Sequence, residues 1–298
     1  MKMDLTHRLI SRRKVVLAAL LGASVAATAS APDNKADLFG VEVRGSGPDV
    51  LLLPGLASSP DVWSALAGPL SARHRVHLID IAGFAGRAPI ADATPLASSL
   101  AEALAAYIAR NGLSKPALVG HSLGGEVGLM LAARHPASVG RLVIVDALPF
   151  YSLLFSPAAT VETATPGARA LRDAWLAATD QQLDAMHEAG AARLATSAES
   201  RGAIARWGRA SDRRTVAQAA YELAITDLRP ELPKITAPTT VIYAHHPSYG
   251  PVEQVDGLFS AAYQGLGDAR LVRIDDSRHF VMLDQAAVFN DAVAKALR

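Results

Sequence analysis

Gly120-His121-Ser122-Leu123-Gly124 sets one serine between two glycines, after the apolar run "PALVG" and at the head of the helical pattern Ser122–Arg134. A serine on a strand-to-helix turn has the setting of a nucleophile elbow. There a strained backbone presents the hydroxyl, and glycines remove the side chains that would collide with it. The helix behind the turn aims free N–H groups and a positive partial charge at developing negative charge. A hydroxyl is a poor nucleophile until a base takes its proton, so the chain must also supply that base.

Nine histidines could supply it, among them His279 in "DDSRHFVMLDQ", past the last strand pattern and before the last helix. His121 adjoins the serine, but neighbouring side chains on an elbow point apart. His74, His77, His135 and His187 read as surface or packing residues. The pair His245-His246 lacks a spaced third metal ligand and reads as a loop.

The elements that must position these residues follow a repeating rhythm. "FGVEVRG", "DVLLLPG", "HRVHLIDIAG", "PALVG" and "GRLVIVDA" read as strands, and "PDVWSALAGPL", Thr94–Asn111 and Ser122–Arg134 as intervening helices. Continuous apolar strands between helices imply a mostly parallel central sheet covered on both faces, an α/β architecture. From Leu148 to Glu231 no strand pattern occurs, only helical stretches such as "RALRDAWLAA" and "RRTVAQAAYELAI". The α/β rhythm resumes at "APTTVIYA" and ends in the helix "DQAAVFNDAVAKAL". The chain therefore divides into a core, residues 38–147 and 232–298, and an inserted α-helical cap, residues 148–231, far longer than an ordinary loop.

With the elbow, the late histidine and the helical insertion in this order, the chain resembles the α/β-hydrolase superfamily from about Leu38 to Leu297. The resemblance implies an oxyanion hole built from two backbone N–H groups, matched here by Leu123 and by Leu56 in "LLLPGLAS". Many relatives have His-Gly where this chain has Pro54-Gly55, a departure that leaves the Leu56 donor available. It also implies His279 as the base, and an acid to orient it. Most relatives carry the acid just past the strand matching "TTVIYA", where this chain has "HHPSYG" and no carboxylate before Glu253. A minority place it after the preceding strand, where this chain has Asp146. Glu253 and Asp256 are the alternatives, both on a helical pattern, and Asp80 reads as structural. "LPFYSLLF", Leu148–Phe155, could wall an acyl or alkyl group or simply pack the cap onto the core, and Trp175 has the same two readings. "AGFAGRAP", Ala82–Pro89, reads as a mobile loop near the entrance.

Composition narrows the class further. The chain has 298 residues, half of them hydrophobic, and no cysteine, which excludes disulfides and thiolate chemistry. Residues 1–31 read as an export signal. A basic stretch leads into "VVLAALLGASVAA", small residues follow at Ala27, Ala29 and Ala31, and Arg12-Arg13 resembles a twin-arginine pair. That points to a periplasmic or secreted protein with no stable membrane span once the signal is removed. Its loss takes five basic residues and one acidic residue, leaving a formal net charge of −3 and no nucleic-acid signature.

The expected activity is a serine hydrolase acting on a small-molecule acyl substrate without a metal or cofactor. A carboxylic ester is favoured, with a lactone, thioester or amide as relatives of the same chemistry. The alternatives are a cofactor-free perhydrolase and a hydrolase-fold protein that binds a ligand without turnover.

Overall fold

The computed structural model describes residues 38–90 and 95–298. The export-signal reading of residues 1–31 lies outside them. Seven strands form one sheet in the order β1-β3-β2-β4-β5-β6-β7. They are β1 (Phe39–Arg44), β2 (Asp49–Leu53), β3 (Arg75–Ile81), β4 (Ala117–His121), β5 (Arg141–Val145), β6 (Thr239–Ala244) and β7 (Arg270–Ile274). Only β1 runs antiparallel, against β3; every other neighbouring pair is parallel.

The continuous apolar strand sequences have the expected cause: both faces of the sheet are buried. Alternate residues of each strand enter opposite layers. Leu51, Leu53, Leu118, Leu142 and Ile144 join α2 (Leu96–Arg110), α3 (Leu123–Arg134) and α8 (Val252–Ala262). Val50, Leu52, Val119, Val143 and Val145 join α1 (Ser64–Ser71), the short α9 (Val281–Asp284) and α10 (Ala286–Ala296) on the other face. "PDVWSALAGPL", read as a single helix, is a short 3-10 turn over Pro60–Trp63 that continues into α1.

Between β5 and β6 the chain builds four helices: α4 (Val161–Ala177), α5 (Asp180–Leu194), α6 (Ala198–Ala210) and α7 (Arg213–Ile225). Helix α4 packs along α7, and α5 along α6. The loop Ala82–Pro89 is not a free entrance loop. Phe84 is fully buried, Gly83 C=O accepts from Asp212 N–H at 2.8 Å, and Ala85 N–H donates to Ser211 Oγ at 2.8 Å. It straps the core to the cap. Among the described residues no helix is long and apolar enough to cross a membrane.

Candidate active site

Ser122 sits between β4 and α3 at φ 52°, ψ −118°, a conformation that L residues rarely adopt. The glycines explain how the turn closes. A Cβ on Gly120 would land on the Gly124 carbonyl, and one on Gly124 would meet the Leu53 and Pro54 carbonyl oxygens at 2.5 and 2.6 Å. Both contacts are with backbone, which cannot step aside.

Asp146, just past β5, also has positive φ, 44°. Strands β4 and β5 are parallel neighbours, so these two strained residues emerge side by side on the sheet's C-terminal edge. Asp146 Oδ2 accepts from His279 Nδ1–H at 2.7 Å, and its Oδ1 accepts from Ala244 N–H at 2.9 Å. The imidazole is thereby fixed with its other nitrogen, Nε2, left to the site. Of the acids left open by the sequence, Asp146 is the one that meets the histidine. Asp256 instead accepts from Tyr243 Oη–H and pairs with Arg273, and Glu253 is exposed on α8. Asp80 pairs with Arg87 at 3.5 Å.

Two further residues hold His279, and sequence reasoning missed both. His121 is fully buried, its ring centroid 4.5 Å from that of His279. Its Nε2–H donates to the His279 carbonyl at 3.0 Å, while its Nδ1 has no partner. Burial, reinforced by repulsion from His279, depresses its pKa well below the ordinary histidine value, so it stays a neutral donor. The loop carrying His279 folds over to meet it, a long-range contact with no local signal. Tyr249, in the "HHPSYG" loop where most relatives keep their acid, accepts the His279 N–H on its hydroxyl at 3.1 Å. His279 is thus held at its N–H, its carbonyl and its ring.

Ser122 caps α3 without any side-chain hydrogen bond. Among the described residues neither the Leu123 N–H nor the Leu56 N–H has an acceptor. Ser122, His279, His121 and Leu56 line one cavity of about 210 Å³, closed from the cap side by apolar residues including Met186, Leu194, Ile204 and Leu223.

Of "LPFYSLLF", only Tyr151 reaches this cavity. Leu148, Phe150 and Leu153 are buried in the core layer, whereas Phe155 is 78% exposed, so the stretch mainly anchors the cap. Trp175 does line the cavity, and so does His187, which the sequence had placed among packing and surface histidines. The His245 ring bonds to the Gly250 carbonyl and the His246 ring to Ser248, within the turn that presents Tyr249. Among the described residues no three metal-ligating side chains cluster.

A family model for the alpha/beta hydrolase fold matches residues 48–286. The chain belongs to the alpha/beta hydrolase fold family. Across 83% of its length, this hydrolase-fold chain is 31% identical to a pimeloyl-(acyl-carrier protein) methyl ester esterase of Aromatoleum aromaticum, covering 98% of that protein. The esterase of the same name from Aeromonas hydrophila subsp. hydrophila is 38% identical over 112 residues, 37% of this chain. There the chain spans only 42% of the relative's length. Among solved structures, an enol-lactonase from Burkholderia xenovorans LB400 superimposes with a TM-score of 0.70 at 22% identity, covering 87% of this chain and 96% of that one. That likeness is one of fold.

Proposed function

We propose that the protein is a serine hydrolase that cleaves a carboxylic ester through an acyl-enzyme on Ser122. The observation that carries this reading is the 2.7 Å Asp146–His279 hydrogen bond beside a strained serine. Ser122 Oγ attacks the ester carbonyl as His279 Nε2 takes its proton. The tetrahedral oxyanion rests on the Leu56 and Leu123 N–H groups, which have no other acceptor to give up. Collapse breaks the ester C–O bond, and His279 returns the proton to the departing alkoxide. Water, deprotonated by the same imidazole, then attacks the acyl-enzyme and releases the acid. Asp146 holds the Nδ1–H throughout and stabilises the imidazolium.

An ester is supported by relatives named as methyl ester esterases and by the apolar walls of the cavity. The ligand-binding alternative drew its support from the vacant acid position after β6, and an Asp146 already bonded to His279 removes that support. Export by residues 1–31 belongs to the same proposal, and cell fractionation with antibody to the mature chain tests it.

The functional test is hydrolysis of p-nitrophenyl esters from acetate to long acyl chains by wild type and Ser122→Ala. Turnover with an optimum chain length, lost in the variant, is expected, together with fluorophosphonate labelling of wild type alone. Equal rates in the two proteins would sink the mechanism.

A further inference from the structure

His187 of α5 is a polar group in an apolar wall, and three cap helices position it. Its ring stands edge-on to Trp175 of α4, with centroids 5.6 Å apart and planes at 86°. It lies against Gly208 of α6 so closely that a Cβ there would strike imidazole Nδ1. Glycine inside a helix is destabilising relative to alanine, and at 208 it vacates the space the ring fills. Among the described residues neither imidazole nitrogen has a hydrogen-bond partner. The ring is part-buried, so its nitrogens are open to the space around it and to a group that enters there.

The ring's position says where such a group sits. His187, Trp175, Gly208 and Val216 line both the cavity at Ser122 and a second one, of about 220 Å³, bounded by Asp180, Asp184, Arg209 and Arg213. An occupant reaching from Ser122 along the apolar walls meets the imidazole at the partition between the two. Burial, and next the nearby Arg209, lower the His187 pKa against the opposing pull of Asp184 and Glu188. At neutral pH the ring therefore presents one N–H donor and one bare acceptor, which suits an uncharged partner.

We propose that His187 forms the polar end of a substrate subsite, so that the favoured ester carries a neutral hydrogen-bonding group, a hydroxyl or second carbonyl, beyond an apolar stretch. This rests on Ser122 being the nucleophile, and it narrows the substrate class of that same site.

Alkylboronic acids test it, because boron accepts the Ser122 oxygen and the alkyl chain then samples the cavity. Dissociation constants would be measured by calorimetry for each chain from propyl to octyl, methyl-terminated and hydroxyl-terminated. In wild type the terminal hydroxyl is expected to tighten binding about fivefold at one or two lengths, the gain of a neutral hydrogen bond. The ratio within each protein should fall to about one in His187→Leu and recover in part in His187→Gln. In Gly208→Ala, which keeps the imidazole but fills its seat, the preference should also vanish. A wild type with no hydroxyl preference at any length, or a preference that survives His187→Leu, overturns the subsite and leaves the hydrolase reading standing. Boronates that bind Ser122→Ala as tightly as wild type overturn the nucleophile, and the subsite with it.

Discussion

Helix α3 of the core buries every residue except Arg134, whereas α4 of the cap, a longer helix, buries Ala168 alone. Their starting points differ in the opposite sense. Among the described residues the N-cap residue gives no side-chain hydrogen bond at α1, α2, α3, α8 or α10, the principal core helices, although Glu222 of α7 accepts from the Leu96 N–H at the head of α2. All four cap helices begin on a bonded Thr160, Thr179, Ser197 or Asp212. Where burial on the sheet holds a helix, its first turn can go uncapped, and at α3 this leaves the Leu123 N–H without an acceptor among the described residues. Where little apolar surface is buried, local hydrogen bonds must hold the turns in place. Helix α3 thus keeps a backbone donor in reserve, whereas the cap helices use theirs to stay folded.

The largest effect should fall on the chemistry of the core alone. Asp146→Asn can keep the Ala244 N–H bond but presents the wrong partner to His279. A drop in kcat of roughly 10⁴-fold is expected, with the thermal midpoint nearly unchanged. A fully active variant would show that the Asp146 contact does not orient the base.

Next comes the contrast in packing. Leu131→Ala, at a fully buried position of α3, should cost about 2–5 kcal/mol in urea unfolding. A loss below about 1 kcal/mol would deny that α3 rests on burial.

Glu126 then gives the core a pH signature. Both its carboxyl oxygens are buried without a hydrogen-bond partner among the described residues, and burial raises its pKa well above the ordinary glutamate value. Above the unfolded-state pKa the folded protein therefore holds a proton that the unfolded chain has lost, and stability falls as pH rises toward the raised value. Glu126→Gln removes this slope, so the variant should gain on wild type as pH rises above the ordinary glutamate range. Parallel stability profiles for the two proteins would refute it.

In the cap, Thr179→Ala removes the bond to Gln182 N–H and should cost about 1 kcal/mol. The smallest effect belongs to the exposed Arg209–Glu188 pair, whose coupling in a double-mutant cycle should stay below about 1 kcal/mol.

The site was legible in sequence wherever its signal was local. The elbow shows itself because Gly120, Ser122 and Gly124 lie within five residues between an apolar strand and a helix, and His279 shows itself by its order. Asp146 was open to rivals because a strand-ending aspartate looks the same whether or not a histidine folds onto it 133 positions later. His121 and Tyr249 were missed for the same reason, since each holds His279 through its backbone and a backbone partner leaves no residue-type trace. The cap was legible as helical, yet not as a lining. Helix α5 buries only Leu183 and Ala191, too few apolar positions to say which way His187 would turn. Glu126 drew no attention because a glutamate in a helix usually faces water, and only the folded chain, with Glu222 of α7 near it, shows it enclosed.

The excursion into the cap leaves the core at Pro149 and returns at Leu228, where one backbone hydrogen bond of 2.7 Å, Leu228 N–H to Pro149 C=O, closes the neck. An insert whose ends already touch imposes almost no geometric demand on what lies between them. The interval can be exchanged as a cassette. A chimaera that carries another family member's helices on this neck must also reproduce the Ala82–Pro89 strap and the cap's other bonds to the core, from Phe280 N–H to Leu194 C=O, from Thr196 to Asp284 and from Leu96 N–H to Glu222. The sheet, the elbow and the anchored histidine would then stay constant while new chambers are tried above them.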